Sequence, residues 1–269
     1  MVDEEGIRSA ISELVQFLEP QTRPDVRHSA IAYIVGISAT NEGCELFQKN
    51  NFTLGRALCS LFESTPEDRS PLLSALTNIA SADAVCANFM IENSALVDIT
   101  AKSCRERGNI ATFAAKLLSN LSLHFSSKVF ERITKVWESF VTDTIALLNE
   151  SGSGDFVDYM GYVLVNCTAM PRVRRIICEY HLASILPLIN QNEKPKRRLI
   201  AVDIIRNLCF DDVIAAAASI VLLLNAGMRN KDKSEEKERK GEVETERYIA
   251  SITLQTLKTC DRVLSGFLM

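Results

Sequence analysis

The sequence is poor in the residue types that catalytic and metal sites use. It has one tryptophan and three histidines, and no histidine is adjacent to an aspartate or cysteine that could act with it: His28, His124 and His181. A nucleophile elbow, an HExxH motif, a phosphate loop and a dinucleotide-binding fingerprint are all lacking. We therefore predict a protein that is not an enzyme and that uses no cofactor and no metal.

A strong excess of either charge is also lacking. The chain has 30 Lys and Arg against 34 Asp and Glu, a net charge of -4, which argues against a general nucleic-acid binder. An almost unbroken apolar run at 213–224 is shorter than the roughly 20 residues that cross a bilayer, so we expect a buried helix there. The first ten residues resemble neither a secretory signal nor an arginine-rich transit peptide. We expect a cytoplasmic protein with no membrane partner.

Cysteine pairs with disulfide or zinc spacing are missing as well. The chain has eight cysteines, but no CxxC motif and no cysteine directly beside a histidine. In a protein without a secretory signal, this usage favours reduced thiols packed in the core. We also predict that Trp137 is a core residue in a helix at 129–140.

The chain does contain a helical pattern that recurs five times. With Asn120 as position zero, apolar residues lie at offsets minus six, minus three, minus two and plus one, which is one stripe of a helix. The pattern repeats around Gly36, Asn78, Asn166 and Asn207, in steps of 42, 42, 46 and 41 residues. Position plus two is always small, which suits close helix packing: Ser38, Ala80, Ser122, Thr168 and Cys209. Such periods predict an all-α, armadillo/HEAT-like right-handed superhelical solenoid.

Each repeat should contain a short first helix, a second helix and the recurring third helix. We predict an opening helix at 7–18, third helices at 26–40, 68–80 and 111–123, and two further helices at 42–49 and 52–63. The Ser-Gly run at 151–154 is interpreted as a flexible insertion. The predicted organisation is armadillo-type repeats at 1–230, a charged loop at 231–247, and a C-terminal capping helix of the same solenoid at 248–269.

Two basic clusters lie in the fifth repeat, at 172–175 and 194–198. The second could be a nuclear import signal or an RNA-binding patch. A basic run at the solvated start of a helix is the commoner case, and we favour it here.

The position-zero residue lies at the edge of the buried face, roughly 110° from the centre of the apolar stripe. Offsets minus seven and minus four fall on the same line, which includes Phe113 and Ile200. In armadillo proteins this line faces the concave groove, where an asparagine amide can bind the backbone of an extended peptide. Asparagines that tie neighbouring helices together are an equally open interpretation. The predicted partner-binding residues are Asn78, Lys116, Asn120, Tyr159, Tyr162, Asn166, Asp203 and Asn207.

The same line disfavours one class of armadillo protein. Nuclear import receptors place tryptophan at offset minus four to hold lysine side chains. The corresponding residues here are Ala32, Ser74, Lys116, Tyr162 and Asp203. We therefore do not expect a receptor for nuclear import signals.

Several motifs resemble the Hgh family of eukaryotic armadillo proteins: DYMGYV at 158–163, the basic cluster after Pro171, IRNLCFD at 205–211 and LLSNLS at 117–122. The resemblance implies a non-enzymatic cytosolic co-chaperone that helps newly made translation elongation factor 2 reach the TRiC/CCT chaperonin and fold. The alternative is a general armadillo scaffold for an extended peptide or protein. The sequence departs from the family at Asn166, where an acidic residue is expected, and at Leu208, where a second cysteine is usual.

Overall fold

A computed structural model describes residues 4–151, 154–190 and 194–210. All regular structure among them is helical, with no strand in these ranges. Two short 3-10 helices, Pro66–Asp68 and Leu186–Asn190, accompany the α-helices. These are α1 (Glu4–Phe17), α2 (Pro24–Ile37), α3 (Asn41–Ser64), α4 (Arg69–Ala82), α5 (Ala84–Glu92), α6 (Leu96–Arg105), α7 (Ala111–Val136), α8 (Phe140–Asn149), α9 (Asp155–Cys167), α10 (Pro171–Tyr180), α11 (Leu182–Ile185) and α12 (Pro195–Leu208).

The described residues form two compact bodies, an N-terminal body that ends at residue 140 and a C-terminal body that begins at residue 141. In the N-terminal body the third helices of successive repeats pack side by side, α2 against α4 and α4 against α7. In the C-terminal body α9 packs against α12 in the same way. The predicted stacking of third helices is therefore present within each body.

The recurring apolar stripe forms the core of both bodies. All its residues in α4, α7, α9 and α12 are buried, as are Ala30 and Ile34 in α2. The prediction is wrong at Tyr33, which is 58% exposed, and Ile37 is only half-buried. Four of the small plus-two residues are also buried: Ser38, Ala80, Ser122 and Thr168.

Local signals in the sequence account for several helix starts. Proline occupies the first turn of α2, α10 and α12, where its missing N–H costs nothing. Thr40 caps α3 by accepting from the Gly43 N–H at 3.2 Å, and Asp83 caps α5 by accepting from two N–H groups.

Helix α3 contains the predicted break between the first two helices of the second repeat. Lys49 leaves the helical region, and the next three residues, Asn50, Asn51 and Phe52, have positive φ angles of 51°, 55° and 60°. Such angles are unusual for a bulky residue such as Phe52. Its ring is stacked on the Phe89 ring with centroids 4.2 Å apart, which secures the turn against the next repeat.

Helix α7 corrects one predicted boundary. It consists of two helical segments joined by a kink at Phe125, and the second segment ends at Val136 instead of at residue 140. Trp137 follows the helix end and is buried, so its core position is confirmed although its place in a helix is not. Its ring packs edge-on against Phe140.

The thiols of the described cysteines largely follow the prediction of core positions. Cys44, Cys59, Cys86, Cys104 and Cys167 are buried, whereas Cys178 and Cys209 are half-buried. Burial raises the pKa of the Cys59 and Cys167 thiols to about 12, so both are protonated at neutral pH.

The predicted helix at 213–224, the charged loop at 231–247 and the capping helix at 248–269 lie outside the described residues. Among the residues that are described, none of the helices combines the length and the apolar character that a bilayer crossing needs.

Candidate partner-binding surface

The predicted partner-binding residues lie at the edge of the buried face in both bodies. In the N-terminal body Lys116 is exposed, and Asn78 and Asn120 are half-buried. In the C-terminal body all five are half-buried: Tyr159, Tyr162, Asn166, Asp203 and Asn207. Each side chain is thus partly packed against its own body and partly open to solvent.

The asparagine amides of the N-terminal body bind the preceding repeat. Asn78 Nδ2 donates to Ser38 Oγ at 3.0 Å, just after the end of α2. Asn120 Nδ2 donates to the Thr77 carbonyl oxygen in α4 at 3.2 Å. These bonds span 40 and 43 residues, which is one repeat.

The C-terminal body contains an equivalent bond. Asn207 Nδ2 donates to Thr168 Oγ1 at 2.7 Å and lies 3.4 Å from the Val165 carbonyl oxygen. Ser38 and Thr168 both occupy position plus two of their repeats. A position-zero asparagine and the plus-two hydroxyl of the previous repeat therefore form a recurring pair.

These bonds show that the three asparagines tie neighbouring helices. They involve only the amide nitrogen, however. For Asn78, Asn120 and Asn207, the structure gives the side-chain oxygen no partner among the described residues. An amide oxygen accepts hydrogen bonds, so the tie leaves an acceptor at the surface that a partner's N–H could use.

Aromatic and acidic side chains surround the asparagines of the C-terminal body. Burial and then the nearby Asp158 carboxylate raise the pKa of Tyr162, so its phenol is a hydrogen-bond donor at neutral pH. Asp203 pairs with Arg206 at 3.0 Å, and Asp158 pairs with Lys196 at 3.3 Å. This part of the surface therefore presents paired charges beside tyrosine rings.

Exposed apolar side chains flank the line in the N-terminal body. Phe113 is 43% exposed and Leu123 is 65% exposed, at the two ends of the α7 segment that holds Lys116 and Asn120. In α12 the expectation fails at Ile200, which is fully buried because its side chain fills the space beside Gly161. A Cβ on Gly161 would come within 2.7 Å of the Ile200 Cδ1 atom.

The basic cluster at the start of α12 is mostly used inside the C-terminal body. Arg197 is only 2% exposed and donates to the carbonyl oxygens of Leu148 and Glu150 at the end of α8. Lys194 donates to the Glu150 and Ser151 carbonyl oxygens. The expectation of a solvated helix start is therefore wrong for Arg197, which neutralises helix-end carbonyls in the core.

Sequence reasoning did not find a buried ion pair at the start of α2. Arg27 Nε lies 2.6 Å from Asp68 Oδ2, and both side chains are almost fully buried. His28 Nε2 contacts the other oxygen of Asp68 at 2.9 Å. The two partners are 41 residues apart and sit at different offsets of their repeats, so the periodic pattern carries no signal for the pair.

A second pair links α6 and α7 in the N-terminal body. Arg132 binds Asp98 through two bonds, at 3.0 and 2.6 Å, and also donates to the Ser94 carbonyl oxygen.

No group of three His, Cys, Asp or Glu side chains that could hold a metal ion occurs in the part of the chain that the structure describes.

The fold resembles solved armadillo structures. A designed armadillo repeat protein in complex with the peptide (KR)4 matches with a TM-score of 0.68 and 16% identity, over 91% of this chain and 98% of that one. A computationally designed armadillo repeat protein for modular peptide recognition matches with a TM-score of 0.66 and 16% identity, over 91% and 99% of the two chains. At this identity the likeness shows the fold, and the predicted all-α armadillo fold is confirmed.

Curated relatives agree in sequence over most of the chain. An HGH1 homologue of Drosophila pseudoobscura pseudoobscura is 25% identical over 223 residues, which are 76% of this chain and 59% of the relative. The Xenopus tropicalis homologue is 27% identical over 209 residues, 74% of this chain and 56% of the relative. The Danio rerio homologue is 24% identical over 246 residues, 85% and 64% of the two chains. The chain thus spans about three fifths of the length of these relatives.

A family profile described as a domain of unknown function, DUF383, matches residues 63–225. The match covers more than half of the chain, and it includes the third helices around Asn78, Asn120, Asn166 and Asn207. Together with the HGH1 homologues, it confirms the resemblance to the Hgh family of armadillo proteins. The chain belongs to the DUF383 family.

Proposed function

We propose that this chain is a non-enzymatic armadillo adaptor that binds an extended segment of a client protein along its third helices. We further propose that the client is newly made translation elongation factor 2, which the adaptor helps to reach the TRiC/CCT chaperonin in the cytoplasm. The observation that carries the proposal is the line of partly open side chains at one offset of the third helices within each body.

The hydrogen bonding of the asparagines supports an extended client segment. Because the amide nitrogens of Asn78 and Asn120 bind the preceding repeat, their side-chain oxygens are held at fixed positions one repeat apart. An extended chain presents backbone N–H groups at regular intervals, and fixed acceptors lose little side-chain entropy when they bind it.

The side chains between and beside the asparagines support contact with a protein. Phe113 and Leu123 offer exposed apolar surface, and Lys116 offers a positive charge with no ion-pair partner among the described residues. Tyr159 and Tyr162 provide aromatic rings in the C-terminal body. Aromatic and apolar anchors with a few polar groups are the usual composition of a protein-binding surface.

Two kinds of relative support the partner class. The solved armadillo protein with the peptide (KR)4 shows that this fold can hold a short peptide. The HGH1 homologues support the Hgh resemblance, and the roles of elongation factor 2 and TRiC/CCT follow from that resemblance. A general scaffold for another extended peptide or protein remains the second candidate, since the fold serves both equally well.

Affinity purification of the tagged chain from eukaryotic cells, with quantitative mass spectrometry, tests the proposal. We expect elongation factor 2 and chaperonin subunits among the enriched proteins, with elongation factor 2 enriched most in a pulse-labelled, newly made pool. Recovery of other proteins without these two would support the general scaffold and contradict the co-chaperone role.

A charge reversal locates the client on the proposed surface. Lys116→Glu changes an exposed residue that ties no helices, so the fold should be unaffected. We expect recovery of elongation factor 2 to fall by roughly fivefold, since reversing a charge on the proposed client-binding line changes the electrostatic match to the bound segment. Lys135→Glu, an equal change at an exposed site farther along α7, is the matched control and should recover as much client as the unmodified chain. Equal losses in both variants would contradict a client site on this line.

A further inference from the structure

Gly36 is a glycine that the described fold does not require. It lies in the last turn of α2, at position zero, where α4, α7, α9 and α12 have asparagine. Glycine at a helix end is usually explained by a positive φ, but no glycine among the described residues has one. A Cβ on Gly36 would also meet no described atom within 4 Å outside its own stretch of helix. Alanine would therefore fit this position and would favour the helix.

The side chains around Gly36 are small and uncharged. Ala32, one turn earlier, is exposed, and Ser74 is half-buried on α4, which packs against α2. Residues 30–40 and 70–82 contain no charged side chain, although 24% of the whole chain is charged. We call Ala32, Gly36 and Ser74 the glycine shelf. It is a low and uncharged part of the third-helix surface.

The glycine shelf stays open beside the first asparagine of the line. Asn78 Nδ2 donates to Ser38 Oγ at 3.0 Å, two residues beyond Gly36, but no atom of Asn78 lies within 4 Å of the Cβ position on Gly36. On α7 the same line carries the larger, exposed side chains of Phe113 and Lys116. An extended segment along the line can thus come closest to the helix backbone at Gly36, and one of its side chains has room there.

We propose that the glycine shelf accepts one large uncharged side chain of the client segment, a leucine or an aromatic residue, packed directly against Gly36. This role rests on the proposed function, which places that segment along the third helices, and it names the chemistry of one client position. An apolar side chain on the shelf removes its own surface and that of Ala32 from water. A charged client side chain would lose its water there without an opposite charge on residues 30–40 or 70–82.

Peptides selected on the whole, unmodified chain from a displayed library of random dodecapeptides test the glycine shelf. Labelled synthetic copies of the enriched peptides are then measured by fluorescence anisotropy against three variants. Gly36→Trp fills the shelf and should weaken binding by more than about tenfold, and Gly36→Ala should weaken it by about two- to fivefold. Ser60→Trp adds the same ring at an exposed position of α3, outside the third helices, and should leave binding unchanged.

Changes in the peptide identify the side chain that occupies the shelf. Each enriched peptide should contain a leucine or aromatic residue whose change to alanine weakens binding to the unmodified chain by about tenfold. The same change should have little further effect on binding to Gly36→Trp, because that variant has already lost the contact. A change of this peptide residue to lysine should weaken binding at least as much as the change to alanine.

Thermal unfolding separates a client contact from a structural role of Gly36. Gly36→Ala should raise the Tm of the free chain by about 1 to 3 °C while it weakens peptide binding. Gly36→Trp and Ser60→Trp should both leave the Tm of the free chain unchanged within about 2 °C. A fall of roughly 5 °C or more in Gly36→Trp alone would show that the chain itself packs on the shelf, and would overturn the proposal.

Three further results distinguish the glycine shelf from the proposed function. Peptides that Lys116→Glu weakens and Gly36→Trp does not would refute the shelf and leave a client site on the line of asparagines. Peptides that Gly36→Trp weakens, together with elongation factor 2 missing from the affinity purification, would refute that client and support the shelf. A library from which no peptide is enriched would overturn the shelf, whatever the affinity purification recovers.

Discussion

The Asn207 amide nitrogen donates to the Thr168 hydroxyl at 2.7 Å, across the 39 residues that separate α12 from the end of α9. Asn78 and Ser38 make the same contact in the N-terminal body at 3.0 Å. A hydroxyl at position plus two is small enough for close helix packing and also accepts the bond. One residue thus satisfies two requirements of the repeat.

The bond between Asn207 and Thr168 should be measurable as a coupling. Asn207→Ala removes the donor and Thr168→Val removes the acceptor with little change of shape. Each should lower the free energy of unfolding by about 0.5 to 1.5 kcal/mol, and the double variant should cost less than the sum. Urea unfolding of the four proteins measures the coupling.

The control for this cycle is Arg206→Ala on the same helix. Arg206 is half-exposed and pairs only with Asp203 among the described residues. Arg206→Ala should therefore change the free energy of unfolding by no more than about 0.5 kcal/mol. Additive effects of Asn207→Ala and Thr168→Val would contradict a direct bond between them.

The buried pair of Arg27 and Asp68 should be costly to break. Arg27→Met leaves the Asp68 carboxylate 1% exposed without its guanidinium, and we expect a loss of about 3 to 5 kcal/mol in the free energy of unfolding. Combining Arg27→Met with Asp68→Leu removes both charges and should recover much of that loss. A double variant less stable than Arg27→Met alone would contradict this account.

Asp83 should make the start of α5 sensitive to acid. Burial raises the pKa of its carboxyl, but bonds from the Cys86 and Val85 N–H groups outweigh it, and the pKa lies below its ordinary value of 3.8. Because the folded pKa is lowered, the stabilisation is present above about pH 4 and is lost as the pH falls through the folded pKa. At pH 7, Asp83→Ala should cost about 1 kcal/mol.

Urea unfolding between pH 7 and pH 2.5 checks this dependence. The difference in the free energy of unfolding between the unmodified chain and Asp83→Ala should shrink below about pH 4. Asp83→Asn keeps a neutral cap, so the difference in the free energy of unfolding between Asp83→Asn and Asp83→Ala should stay the same at every pH. A difference that is constant over the whole range would exclude a role for the ionised carboxylate.

The sequence predicted those features that recur at a constant offset. The third helices, their buried stripe, the small plus-two residues and the edge position of the asparagines all follow from one helical period repeated at steps near 42 residues. The break in α3 was also predictable, because Lys49-Asn50-Asn51 interrupts two apolar helical patterns. Periodic burial leaves a strong signal in the sequence because it constrains many positions at once.

Features that depend on one particular pair of residues were not predictable. Arg197 and Arg27 look like surface arginines in sequence, yet each is buried because carbonyl oxygens or a carboxylate lie within reach in the fold. Tyr33 fits the apolar stripe, yet its side chain is exposed in the structure. Whether such a side chain is buried depends on which residues surround it in the fold. The sequence next to the residue does not reveal those distant neighbours.

The direction of the asparagine bonds has a consequence for synthesis of the chain. The donors Asn78, Asn120 and Asn207 lie about one repeat after the acceptors Ser38, Thr77 and Thr168, by 40, 43 and 39 residues. Because a ribosome releases the amino terminus first, the helix that accepts each bond has been made before the asparagine that needs it. Each new third helix can therefore dock onto a finished neighbour as it emerges, and a ribosome paused between repeats would hold a chain whose last complete repeat is already tied.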